Sequence, residues 1–192
     1  MDVRLTLTGT APLLVHNVRL ADPLDEVAKE MKLISSKRKK TEDDYVALAR
    51  LEFSGGLYLD SELGPYVPGA NVEKSLVEGA RITKQGKQVE RGVFVSDNVV
   101  PILYAGPRDQ KGLLADANFR HVASVRVGQN RVMRTRPRFA QWTLEANATV
   151  DPSLIEPDAL EAIANDAGQM VGLGDYRPRF GRYTADVTVI SD

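Results

Sequence analysis

Gly172-Leu173-Gly174-Asp175-Tyr176-Arg177-Pro178-Arg179-Phe180-Gly181-Arg182-Tyr183 places three glycines, three arginines and three aromatic residues in twelve positions. Immediately before it, Leu160, Ile163, Ala164, Ala167 and Val171 form the apolar stripe of a helix entered through Glu156, Pro157 and Asp158. Immediately after it, Val187 and Val189 alternate with Asp186 and Thr188 in a strand from Tyr183 to Ile190. The stretch therefore connects a helix to a strand. Glycine lets a backbone approach a ligand closely, guanidinium groups fork onto phosphate, and aromatic rings offer faces to bases. The plainer alternative is a helix C-cap followed by a surface turn, with Tyr176 and Phe180 packed on the core, although a cap needs glycine and not three arginines.

Trp142, Leu144, Ala146, Ala148 and Val150 keep a period of two and predict a strand that places Trp142 in the core, with Phe139 just upstream open to either core or surface. At the other end of the chain Val3, Leu5 and Leu7 alternate with Arg4, Thr6 and Thr8 as a first strand, and Pro12 sends Ala11 to Asn17 out of the sheet as a loop or edge. Two short helices follow. Asp22-Pro23 opens the first, over Val27, Ala28, Met31 and Ile34, with Asp22 as its cap. Thr41 and Asp44 form a capping box before the second, over Tyr45, Leu48, Ala49 and Phe53. A hairpin spans Leu57 to Val67. Pro68-Gly69 then leads into a helix from Asn71 to Ile82, whose free amides, with Lys74 in the first turn, suit a phosphate or simply begin an ordinary surface helix. Residues 84–137 carry short strand candidates at Val93–Val95, Val99–Tyr104, Val122–Val127 and Arg131–Met133. The order predicts an α+β fold, a modified ferredoxin-like (RRM-like) βαββαβ core in one domain spanning 1–192, with a helical insertion at about 18–60 and a basic, β-rich one at 84–137.

Composition narrows the chemistry. The chain has 192 residues, 43% hydrophobic and 27% charged, with a formal net charge of -1 and no cysteine. Thiolate zinc sites, thiol catalysis and disulfides are excluded, and two distant histidines, His16 and His121, argue against a His-rich metal site. No cofactor or metal is expected. No apolar run is long enough to span a bilayer and the N-terminus lacks the pattern of a secretory signal, so the expectation is a cytoplasmic protein without a membrane partner. The small net charge hides segregation. Lys37-Arg38-Lys39-Lys40 is one basic cluster, read as a solvated linker; Arg81, Lys84, Lys87 and Arg91 are another. From Phe119 to Phe139 there are six arginines and no carboxylate, which a polyanion-binding surface requires and a salt-bridged one does not.

Three segments resemble the RAMP superfamily, the repeat-associated proteins that include backbone subunits of CRISPR effector complexes. Leu7-Thr8-Gly9-Thr10-Ala11-Pro12-Leu13-Leu14 resembles the family's first strand and following turn; Tyr66-Val67-Pro68-Gly69-Ala70-Asn71-Val72-Glu73-Lys74-Ser75-Leu76 resembles the segment opening its first helix; Gly172 to Gly181 stands where its terminal glycine-rich loop stands. The chain is also similar to uncharacterised proteins of phages and prophages. The resemblance implies a protein that lays single-stranded RNA or DNA across a sheet face, as one subunit of a homo-oligomer or filament.

Joined to the charge pattern, this gives a candidate nucleic-acid contact set of Arg126, Arg131, Arg134, Arg136, Arg138, Gly172, Gly174, Tyr176, Arg177, Arg179, Phe180, Arg182, His16 and Lys74, with Gly181 beside them and His121 as a further phosphate or base contact. The arginines would hold phosphates and the rings would stack. No catalytic residue is assigned in this reading. The resemblance also admits metal-independent RNA cleavage, with His16 as general base near Arg19 or with Asp22 in an acidic role. A third class, a phage structural or assembly protein, would pair these arginines with acidic patches on neighbours.

Overall fold

Val3, Leu5 and Leu7 are fully buried on one face of β1 (Asp2–Gly9), while Asp2, Arg4 and Thr8 are exposed on the other. This alternation makes β1 a central strand. The computed structural model describes residues 1–191 apart from the side chains of Val127 and Asn130. In it β9 (Thr143–Val150) pairs antiparallel with β1, Leu5 opposite Ala146, and β10 (Tyr183–Ser191) pairs antiparallel on the other side, Leu7 opposite Ala185. β5 (Val93–Val95) completes the sheet beyond β9, giving the order β10-β1-β9-β5 with every neighbouring pair antiparallel.

Two helices cover the apolar face. α3 (Gly69–Ala80) contributes Val72, Leu76 and Ala80, and α6 (Pro157–Asp166) contributes Leu160, Ile163 and Ala164, all buried at the helical spacing the sequence suggests. Removing one such leucine side chain costs about 2–5 kcal/mol, because lost transfer energy and a residual cavity add. The one buried hydroxyl on α3 is satisfied: Ser75 Oγ donates to the Gly172 carbonyl at 3.0 Å and lies 2.9 Å from the Tyr183 hydroxyl. Burial pushes that phenol up to about 12. Both sheet edges are shielded by helix side chains. On β10, Asn165 pairs with the Ala185 amide and carbonyl and Glu161 accepts from the Val187 N–H; on β5, Glu73 accepts from the Val95 N–H.

Long connections carry the remaining elements. Between β1 and α3 lie β2 (Leu13–Leu14), a 3-10 turn (Val18–Ala21), α1 (Glu26–Ser35), α2 (Glu42–Gly56) and the hairpin β3 (Leu59–Asp60) and β4 (Gly64–Pro68). Thr41 and Asp44 form the expected capping box of α2. The cap of α1 is Asp25, not Asp22, which ends the 3-10 turn and accepts from the Leu24 N–H at 2.8 Å. α4 (Gly86–Gly92), β6 (Val99–Pro101) and α5 (Gln110–Ala115) precede the long hairpin β7 (Arg120–Val127) and β8 (Asn130–Phe139). β8 adds to β2 through Leu13 opposite Phe139, so the hairpin is anchored at its base. α4 and α5 are too short to show a clear period in sequence, and β5 belongs to the main sheet, not to an inserted subdomain. Among the described residues no helix is long and apolar enough to cross a membrane.

Candidate nucleic-acid interface

The β7–β8 register divides the six arginines of the middle basic segment between two faces. His121 stands opposite Arg136 and Ala123 opposite Arg134, so with Arg138 these share one face; Arg120, opposite Pro137, and Arg126, opposite Arg131, lie on the other. Strand periodicity thus selects Arg134, Arg136, Arg138 and His121 as one surface.

The glycine-rich loop closes over that surface. α6 ends in a wide turn (Ala167–Val171) stopped by Gly172 at φ +78°. Leu173 then plugs the core, and the loop is laced to the chain after β1: the Asp175 N–H donates to Leu14 O, and the Gly181 N–H donates to Pro12 O, each at 2.8 Å. Gly174 and Gly181 have φ of +76° and +71°, and a Cβ on either would collide with the carbonyl of Leu14 or Leu173. Here the close approach that glycine permits is to the protein's own backbone, as it also is for Gly172 against Phe180 and Gly181.

The aromatic residues of the loop point both ways. Tyr183 is wholly buried, whereas Tyr176 is 55% exposed, with its ring centroid 5.6 Å from that of the half-buried Phe180. Phe180 in turn meets the His121 ring at 4.9 Å and 62°. Two segments that are remote in sequence therefore join: His121, opposite Arg136 on the hairpin, meets Phe180, the chain neighbour of Arg179. The His121 pKa is lowered from 6.5, first by desolvation and then by Arg138, Arg136 and Arg179; its Nε2 is buried with no hydrogen-bond partner among the described residues.

The arginines are not equivalent. Arg134 pairs with Glu52 of α2, which also accepts from the Thr135 N–H at 2.7 Å, and Arg136 pairs with Asp175 of the loop. Arg177 shares Glu78 with Lys74, at 3.5 and 3.6 Å, and lies 3.4 Å from the Gly172 carbonyl. Arg182 Nε donates to Pro178 O, and Arg126 Nε to Gly128 O. No carboxylate partner is present for Arg138 or Arg179 among the described residues. Glu52 and Asp175 were given no role by sequence reasoning, and nothing in their spacing marks them as partners.

His16 lies in a cleft of about 190 Å³ whose walls include Leu20, Met31, Glu52, Arg134 and Arg136. Desolvation there lowers its pKa from 6.5; Asp175 opposes this, Arg136 and Arg134 add to it. Arg19 is paired with Asp25 at 2.8 Å. Trp142 is in the core as expected, and Phe139 is there too; the Trp142 N–H donates to Ala11 O at 2.9 Å. At the N-terminus of α3 the Gly69 N–H donates to the Asn98 carbonyl.

Among the described residues the open face of the main sheet carries one arginine, Arg4, together with Asp2, Glu145 and Asp186, Thr6 standing between the last two. None of the basic clusters lies on it. The arginine face is the β8 strand and its loop. No family model matches the chain, and none of the curated proteins matches it.

Proposed function

We propose that the protein binds single-stranded RNA or DNA without cutting it, along the face built from β8, His121 and the glycine-rich loop, and that it self-associates along the strand. The observation that carries the reading is the meeting of the two arginine-rich segments: the His121–Phe180 contact sets the β8 face of Arg136 and Arg138 beside the loop that carries Arg179, with the exposed Tyr176 ring beside Phe180. A cationic strip with adjacent ring faces is the combination that holds phosphates while stacking bases, independent of sequence. We also propose that the strand order β10-β1-β9-β5, with α3 and α6 on one face, is a ferredoxin-like core, and that the chain is kin to the RAMP superfamily. The crossover from β1 through α3 to β5, split by β9, supports that reading.

Fluorescence anisotropy with labelled single strands over a salt series tests it. Tight binding that weakens steeply with salt is expected, with the strands intact on a denaturing gel and larger assemblies on longer strands. No binding at low salt would overturn it in favour of an assembly protein whose arginines pair with acidic neighbours. A second reading rests on His16, held neutral at pH 7 beside Arg134 and Arg136. Cleaved RNA on the same gel, absent with His16→Ala, would establish that reading instead.

A further inference from the structure

Asp175 has the Arg136 ion pair on one side and, on the other, a cavity of about 110 Å³ that phosphate binding does not explain. Its floor is apolar, formed by Val15 and Val67, which are almost wholly buried, beside the Tyr58 ring. That ring is fixed in place: it lies 5.5 Å from the Tyr66 ring, and its hydroxyl accepts from the Val18 N–H at 3.2 Å. The rim is polar. Asn71, in the first turn of α3, offers an amide that both donates and accepts, and Asp175 binds Arg136 through Oδ2, leaving Oδ1 as an acceptor. His16 lines both this cavity and the arginine cleft, so the two are neighbours across one side chain.

We infer that this cavity receives one unstacked nucleobase of a bound strand; the inference rests on the single-strand reading and adds to it a point of base recognition. An apolar floor with an aromatic wall suits a flat heterocycle, and a few fixed polar groups at the rim suit its Watson–Crick edge. Asp175 pairs with Arg136, which shares a β8 face with Arg138, so a strand whose phosphates lie along that face has the cavity beside it. The strand is therefore held by its backbone on β8 and anchored by a base beneath the loop.

The test uses two labelled DNA strands of equal length and phosphate number, one of mixed sequence and one in which every nucleoside is replaced by an abasic tetrahydrofuran unit. The wild-type protein is expected to bind the base-bearing strand roughly tenfold more tightly. In Asn71→Ala that ratio should fall below about twofold; because it is a ratio within one protein, a general weakening of phosphate binding does not move it. Equal affinities in the wild type would overturn the inference and leave the backbone-binding reading intact. A ratio unchanged in Asn71→Ala but abolished in Tyr176→Ala would assign the bases to the loop surface and also overturn it. If neither strand binds, the single-strand reading itself fails; titration with a free nucleoside, followed by the Asn71 side-chain amide resonance, then decides the cavity separately, a shift supporting it and no shift overturning it.

Discussion

The His121 and Phe180 rings meet edge-on at 4.9 Å, and through this contact the β7–β8 hairpin and the glycine-rich loop become one surface. Within that surface the arginines divide by what they already hold. Arg138 and Arg179 are expected to act on ligands, and Arg134 and Arg136 to act first on the fold. Replacing both Arg138 and Arg179 with alanine should weaken single-strand binding across all sequences and flatten the salt dependence by about 0.7 in logarithmic slope for each phosphate no longer held. A parallel shift in affinity with no change in slope would assign them another role.

Arg134→Ala should instead lower stability. Glu52 is only 7% exposed and would keep its bond from the Thr135 amide while its counter-ion is removed. A carboxylate left partly buried in this way costs on the order of 1–3 kcal/mol. Urea unfolding should show a lower midpoint for Arg134→Ala, and Glu52→Gln with Arg134→Ala should recover part of it. An unchanged midpoint in the single variant would show the ion pair to be solvent-screened and energetically idle.

The loop glycines should also prove structural. Alanine at 174 or 181 must adopt a positive φ and push against the carbonyl of Leu14 or Leu173, a strain of about 1–3 kcal/mol before any steric displacement. For a chain of this size that corresponds to a melting point lower by roughly 2–12 °C. Tyr176→Ala should do the opposite, leaving the melt unchanged while weakening strand binding, since its ring is exposed. A stable Gly174→Ala with weakened binding would return the glycines to the ligand.

The strands β1, β9 and β10 and the helices α3 and α6 are legible in the sequence because each buries one face and keeps a clean period of two or of 3.6. The edges of the architecture are not. β5 has three residues, too few for alternation to assign it to the main sheet, and of the ten-residue β8 only Arg131–Met133 is legible, since the arginines and Pro137 that follow break the apolar pattern. For the site, the arginine segments and the loop stand out by charge and glycine content, but which arginines are neutralised depends on Glu52 and Asp175. Those pairings cross 82 and 39 residues of chain, a separation no local pattern encodes.

Acid should act on both stability and binding, in opposite senses. The fold lowers the pKa of His121 and of His16 below 6.5, so both are neutral in the native state where the unfolded chain would take up protons. Stability is therefore greatest above about pH 6.5 and declines as pH falls below it, because the unfolded state then binds more protons. A phosphate seated between Arg138 and Arg179 offsets the guanidinium part of the lowering at His121, though not the larger part due to desolvation, and so moves the ring toward the imidazolium. Strand affinity should rise as pH falls from about 8 to about 5.5 at fixed salt, by at most tenfold per pH unit for each proton taken up. His121→Gln should remove most of that rise while leaving affinity at pH 8 near the wild-type value. Anisotropy at the two pH values decides the matter; a flat wild-type profile, or one that His121→Gln leaves unchanged, would remove His121 from the phosphate site.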